Sequence, residues 1–467
     1  MAFSFGQPLG NARSSTWPWA VAALAVAWLH YQPAAAYAQS LLELTERAQL
    51  HDPVWQSTRA QLDAVQHQSD RAKAGLLPQV GLQAGSQYSD ARVRGDFPPV
   101  QNSTRQDSAA LSARQPLYAP VDAITYQQGL RQTQAATADV EAAGQALLVR
   151  TAQAYFGLLA AQDSLQLVKA QKAAVAEQLA YAQRNFEIGT ATITDAREAQ
   201  ARFDVVAAQE IAADNEVRVQ QAALDQITGV SPTRPWPLLE PMPLPVLEPA
   251  DLPAWLSLAQ AHHPFLQQAR LGVELAQLET DKAYAGHKPT VDLQASYGWQ
   301  RNPDGSSAVA ARHHATVGSI GVVVNVPLFA GFAVQNRVKE TLALQRKQDA
   351  DLQDVTQQVE QAVRSAFYGW QSARGQVQAL EAAVTSSQSA LQANLLGYEV
   401  GVRINMDVLN AQSQLFQAQK DLANARYQLL LAGLQLRQAS GTLSMQHVHV
   451  TNQWLRPAAL EDGLPSS

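Results

Sequence analysis

The chain has 467 residues, no cysteine and a formal net charge of −6. Disulfides, thiolate chemistry and cysteine-based zinc sites are excluded. So is a nucleic-acid partner, because lysine and arginine are scattered with no basic run to follow a phosphate backbone.

The first element expected is an export signal over residues 1–38. Arg13 supplies a positive start, and "WPWAVAALAVAWL" (17–29) is an apolar core of 13 residues, short of the roughly 20 that a spanning helix needs. Ala36-Tyr37-Ala38 then offers a cleavage site, with Gln39 as the first mature residue. No cysteine stands there to be acylated. No later stretch reaches 18 consecutive apolar residues, so no inner-membrane helix is expected.

From about residue 39 the chain is written twice. "AGLLPQVGLQA" (74–84) returns as "AGHKPTVDLQA" (285–295), identical at seven of eleven positions and 211 residues further on. "HDP" (51–53) faces "HHP" (262–264), and "QPLYAP" (115–120) faces "VPLFAG" (326–331). After a one-residue slip, "AYFG" (154–157) faces "AFYG" (366–369) and "NFEIGTATITD" (185–195) faces "GYEVGVRINMD" (397–407). A period this long is a duplicated domain rather than a solenoid repeat. The first repeat covers 39–229 and the second 254–442. Between them, 230–253 holds eight prolines in 24 residues and reads as a stiff, extended spacer. The polar tail, 443–467, is expected to be partly disordered.

Within each repeat a strand pair comes first. "TVDLQASYGW" (290–299) places Val291, Leu293, Ala295, Tyr297 and Trp299 on one face. "SIGVVVNVPL" (319–328) does the same with Ile320, Val322, Val324, Val326 and Leu328. The first repeat alternates more weakly, through Val80, Leu82, Ala84 and Tyr88, then Ala109, Leu111, Ala113 and Leu117. Ten alternating residues is the length of a tilted barrel strand crossing a membrane. Strand hairpins are therefore expected over about 79–118 and about 290–329. Residues 90–106 and about 301–316 are expected to be polar loops, and Val291, Leu293, Ile320, Val322 and Val324 to face lipid.

Long helices follow. Residues 121–231 and 328–456 contain no proline and are rich in good helix formers. Leu165, Val168, Val175, Leu179 and Phe186 form a heptad-like seam. Helical hairpins are expected over about 121–229 and 332–442, turning at Gly189 and Gly401 and restarting at Asp195 and Asp407. The fold class is thus α+β, with four membrane strands per chain and long antiparallel helices. Four strands cannot close a barrel and lipid forbids an open sheet edge, so the chain must oligomerise.

These features resemble the TolC family of outer-membrane channel proteins. The likeness rests on "LLPQVGL" (76–82), "QPLYA" (115–119), "VPLFAG" (326–331), "GTATITDAREAQARFD" (189–204), "YEVGVRINMDVLNAQSQLF" (398–416) and "KDLANARYQLLLAGLQLRQASGTL" (420–443). It covers nearly all of 40–442. The resemblance implies a homotrimer whose twelve strands form one barrel in outer-membrane lipid, continued across the periplasm by a helical tunnel. It implies as partners a periplasmic adaptor (membrane fusion) protein and an inner-membrane transporter, ABC-type or proton-driven. It also implies that the two helical turns close the periplasmic entrance, through links among Asp195, Arg403 and Tyr398. Asp407 would begin an acidic ring. One helical turn on, where a second aspartate is usual, this chain has Asn410. The alternative for Asp195 and Asp407 is plain helix capping: "DARE" (195–198) has the form of a capping box.

No G-x-x-x-x-G-K-[ST], H-E-x-x-H or G-x-S-x-G occurs, so no catalytic residue and no cofactor is assigned. The histidine pairs at 262–263 and 313–314 and "HVH" (447–449) lack the cysteines or ordered acids of a metal site. Three functions stay open. The resemblance, taken with the missing acylation cysteine, leans toward type I secretion of a protein; the others are efflux of small molecules and a periplasmic coiled-coil scaffold without a barrel.

Overall fold

The computed structural model describes residues 39–96, 100–190, 192–304 and 311–455. The export signal expected over 1–38 and the end of the tail lie outside them.

Both repeats run short helix, longer helix, strand pair, very long helix, return helix. In the first these are α1 (Leu41–His51), α2 (Pro53–Lys73), β1 (Gln79–Val93), β2 (Val100–Tyr118), α3 (Pro120–Glu187) and α4 (Ile193–Thr228). In the second they are α5 (Leu252–His262), α6 (Pro264–Ala285), β3 (Thr290–Asn302), β4 (His313–Asn325), α7 (Ala333–Glu399) and α8 (Asn405–Ala439), after which α9 (Met445–Asn452) closes the described chain. At 68 residues, α3 is about 100 Å long at 1.5 Å per residue.

The two strand pairs join into one antiparallel sheet, ordered β1-β2-β3-β4. Its register brings both alternating patterns to one face. Leu82 lies opposite Leu111, Leu111 opposite Tyr297, Leu293 opposite Val322 and Val291 opposite Val324, and cross-strand partners share a face. The opposite face carries Gln83, Ser112, Arg114, Gln294 and Ser296. There Arg114 reaches Asp292 at 2.9 Å.

Three expectations about the strands need correction. Most of the polar stretch at 90–106 is strand, with β1 running to Val93 and β2 starting at Val100. Beyond Ala84 and Ala109 the once-apolar face turns polar, with Ser86 bonded to Asp107 at 2.7 Å and Ser103 to Asp90 at 2.8 Å. The ladder continues while the apolar alternation stops, which is why the pattern reads as a loop. Likewise β4 starts at His313, inside the loop expected at 301–316, but ends at Asn325. Val326 and Leu328 therefore lie past the strand, as suits the neighbouring Pro327, which has no N–H for a ladder. Leu117 sits in a bulge between Pro116 and Tyr118, and Tyr118 takes the place opposite Val291.

The main core lies partway along the helices, away from both the sheet and the turns. Tyr155, Leu158, Trp255, Leu429 and Leu434 are fully buried there beside Leu41 and Val448. The proline-rich linker is part of this core rather than a free spacer. Met242 and Leu247 are buried in it. Gln39 N–H donates to the Arg234 carbonyl (2.6 Å), Leu239 N–H to Trp454 (2.8 Å), and the Tyr155 hydroxyl to the Trp236 carbonyl (3.1 Å). Of the tail, expected to be partly disordered, the described part packs on this core: Val448 of α9 is buried in it and Leu455 pairs with the linker at Leu238.

Glu279 ties the helices below the sheet. It accepts hydrogen bonds from Gln128 of α3 (2.8 Å) and Arg337 of α7 (2.6 Å), and pairs with Lys282 at 2.6 Å. Partial burial pushes its carboxyl up, but these donors outweigh burial and hold it at about 2.

Candidate functional site

The far end of the helical hairpins carries the residues that the sequence singles out. Each turn is made by a glycine: Gly189 and Gly401 both sit at φ +77, the left-handed conformation in which glycine has no Cβ penalty. Thr190 N–H reaches the Asn185 carbonyl at 2.8 Å, and Val402 N–H the Gly397 carbonyl at 2.9 Å, so both long helices end in the same wrap.

The return helices start differently. The N-cap of α4 is Thr192, not Asp195. The Thr192 hydroxyl accepts from Asp195 N–H (3.2 Å) while Thr192 N–H donates to the Asp195 carboxylate (3.0 Å). Asp195 is thus the acidic third residue of a capping box that starts at Thr192, one turn earlier than the "DARE" pattern suggests. In α8 the cap position holds Ile404, whose side chain offers no acceptor, and no capping box forms. Arg403 instead lies 3.6 Å from the Asp407 carboxylate.

Arg403 accordingly pairs with Asp407 of its own hairpin. Among the described residues the expected contact of Arg403 with the Asp195 turn does not form within one protomer. Gly397 makes room for this: a Cβ there would lie 2.6 Å from Arg403 Cγ. Tyr398 does bridge the hairpins. It meets the Tyr181 ring edge-on, with centroids 5.9 Å apart. Partial burial raises its phenol pKa, a hydrogen bond with Asn185 opposes that, and the charges of Tyr181 and Asp195 add to the rise. Asn410 is exposed and accepts from Arg202 Nη2 of α4 at 3.0 Å.

Several of these partners carry no sequence signal. Gln178 bonds to Asn405, which is almost fully buried. Beneath them a small core of Val175, Ala182, Ala199, Val206 and Leu409 joins the hairpins, flanked by Val168, Leu179, Phe203 and Met406. The seam over 165–186 foreshadows Val168, Val175 and Leu179. Nothing in the sequence foretells that Leu409 of the second repeat would enter the same cluster.

At the other end, Ile320, Val322 and Val324 are exposed on β4, at 77%, 59% and 58%. Val291 and Leu293 on the inner strand β3 are half-buried. Among the described residues the backbone edges of β1 and β4 have no strand partner in the protomer. Among the described residues no cluster of three or more histidine, aspartate or glutamate side chains could hold a metal. His263 instead caps α6, its Nδ1 accepting from Phe265 N–H at 3.2 Å, and His447 serves a capping box with Ser444. Among the described residues no helix is long and apolar enough to cross a membrane.

A sheet apolar on one face and polar on the other, carried on helical hairpins about 100 Å long, defines a class: a membrane channel with a β-barrel wall and a helical conduit. The Outer membrane efflux protein family model matches residues 44–230 and 255–442, and the chain belongs to that family. It is 33% identical to the Outer membrane protein TolC of Vibrio cholerae, over 91% of this chain and 95% of that one. It is 30% identical to the Proteases secretion protein PrtF of Dickeya chrysanthemi, over 91% and 92%. The solved outer membrane protein VceC of Vibrio cholerae superposes with a TM-score of 0.74 at 22% identity, covering 86% of this chain and 96% of that one. The protein is an outer-membrane exit channel with a large periplasmic helical portion, and not an enzyme.

Proposed function

We propose that three copies of this chain close one twelve-stranded barrel and that the channel exports protein substrates in a type I secretion system. The observation that carries the first part is the sheet itself. Its apolar patterns share one face in register, and both its edges are open, which lipid does not tolerate. Pairing β4 of one copy with β1 of the next removes every edge. Val291, Leu293, Ile320, Val322 and Val324 then face lipid, and Arg114 and Asp292 the lumen. The partners are a periplasmic adaptor and an inner-membrane transporter that does the energetic work. Similarity to a protease secretion protein over nearly its whole length supports a protein substrate and an ABC transporter. Small-molecule efflux with a proton-driven pump is the competing reading, supported by the family description.

The helical turns form the periplasmic entrance. Tyr398 holds the second hairpin on the first within each protomer, and Arg403 is available to the Asp195 turn of a neighbouring copy. A partly exposed charged contact of this kind contributes about 0.5–1 kcal/mol per protomer. Breaking three together shifts an open–closed equilibrium by about 1.5–3 kcal/mol, about 10- to 150-fold.

Light scattering of the purified protein in detergent should give a trimer; a stable monomer with full β-content would sink the shared barrel. Arg403→Ser should raise single-channel conductance in a planar bilayer. Removing the protein from its host should abolish a secreted protein from the medium and leave drug susceptibility unchanged; the reverse outcome selects efflux.

A further inference from the structure

Arg202 falls inside "GTATITDAREAQARFD" (189–204) with no role of its own there, yet it is the charged residue placed against Asn410. It lies on α4, seven residues after Asp195, and its Nη2 donates to Asn410 Oδ1 at 3.0 Å. Asn410 follows Asp407 by three residues on α8, so the two share a helix face one turn apart. The packing beside both residues fixes this geometry. Val206, one turn after Arg202, and Leu409, next to Asn410, are buried together in the small core, with Phe203 against it.

The charges around this point are unevenly matched. Arg403 is met by Asp407 at 3.6 Å. Asp204, the acid nearest to Arg202 in sequence, accepts instead from Gln200 at 2.9 Å. Among the described residues Arg202 makes no ion pair within 4.0 Å; its partner is a neutral amide. A carboxylate at 410 would have cancelled the guanidinium. The amide holds it in place and leaves its charge intact.

We infer that Arg202 is a specificity-determining residue of the passage: held on Asn410, it places a fixed cation one helical turn beyond Asp407 and offsets the attraction of the entrance for cations. This rests on the entrance reading of the turns. In a trimer the level of Asn410 carries three guanidinium groups, where an aspartate would have made it neutral. With Arg403 engaged by the Asp195 turn of the neighbouring copy, the acidic ring at Asp407 is followed by a basic one, and a permeating cation meets opposite fields within about 5 Å, one turn of helix.

Reversal potentials in a KCl gradient across a planar bilayer test this with the full-length protein. Arg202→Met and Asn410→Asp each make this level more negative by one charge per protomer, the first by deletion and the second by neutralising Arg202. Both should raise the cation-to-anion permeability ratio by roughly two- to fivefold. That is the size three unit charges about 10 Å from an ion produce after screening at 0.1 M salt. Arg202→Lys and Asn410→Ala should leave the ratio near that of the parent. If Arg202→Met fails to assemble, the two Asn410 variants carry the comparison. The inference is overturned if Asn410→Asp conducts with an unchanged ratio, or if Arg202→Lys shifts it as far as Arg202→Met. A parent protein that forms trimeric channels but ignores every change at both turns overturns the entrance reading itself, as does one that forms no channel.

Discussion

The two repeats follow one plan and differ in how each secures its joints. The first is self-sufficient. Thr192 and Asp195 cap α4 between themselves, and Asp52, which caps α2, is held by Arg150. The second borrows its order. Ile404 cannot cap α8, and Asn405, Tyr398 and Asn410 lean on Gln178, Tyr181 and Arg202 of the first repeat. At the other joint His263 stands where the first repeat has Asp52, and Ala362 where it has Arg150. A duplicated fold need not divide its stability equally. The hairpin that depends on its neighbour is the one that moves at least cost when those cross-contacts break.

The largest expected effects test where the repeats should still be equivalent, in the membrane. Leu82→Lys in the first and Val322→Lys in the second should each cost about 2–4 kcal/mol near the bilayer midplane, read as loss of outer-membrane protein resistant to urea extraction. Ser296→Lys, on the other face, should be mild. Equal damage on both faces would mean that the register joining β2 to β3 is wrong.

The next effect separates the repeats at their closing glycines. Gly229 and Gly441 both have positive φ, 69 and 72. A Cβ on Gly229 would lie 2.6 Å from the His51 ring, whereas on Gly441 it would lie 2.5 Å from the His263 backbone. A left-handed alanine costs about 1–2 kcal/mol in either place. A ring can swing aside and a backbone cannot, so overpacking adds mainly at Gly441. Gly441→Ala should destabilise by about 3 kcal/mol and Gly229→Ala by about 1–2 kcal/mol in chemical denaturation. Equal losses would show that the His263 segment yields as readily as a side chain.

The smallest effect is a pH dependence confined to the second repeat. Burial holds the His263 imidazole below its ordinary value of 6.5, and its neutral Nδ1 accepts the capping bond. The pKa being lower when folded, this stabilisation is fully present above pH 6.5 and is lost as pH falls through the folded value. The cap is worth about 1 kcal/mol. His263→Asp should remove the acid-side loss between pH 7 and 5, measured by thermal denaturation of the channel. A loss that persists in the variant belongs to another group.

The duplication, the strand pairs, the long helices and the glycine turns were all legible in the sequence. The duplication shows as matched phrases at one long offset, and the other three each follow from a local rule: apolar spacing of period 2, absence of proline, or the backbone freedom of glycine. The lengths of β1 and β2 were not, because a strand whose faces are both polar has no apolar alternation to detect. Nor was the linker's place in the core. Prolines exclude a helix but say nothing of what Met242 and Leu247 will touch.

Sequence alone therefore determined the duplication, the order of strand pairs and long helices within each repeat and, through the family resemblance, the class of molecule; it did not mark the shorter helices α1, α2, α5, α6 and α9. Tertiary structure alone decided that the two alternating patterns share a face across β2 and β3, that Tyr398 meets Tyr181, and that Arg202 meets Asn410 across 208 residues of chain. Such pairings depend on which helices lie side by side, and that is settled by packing small groups such as Val206 and Leu409 against one another. No residue type at a given spacing along the chain encodes a partner two hundred positions away.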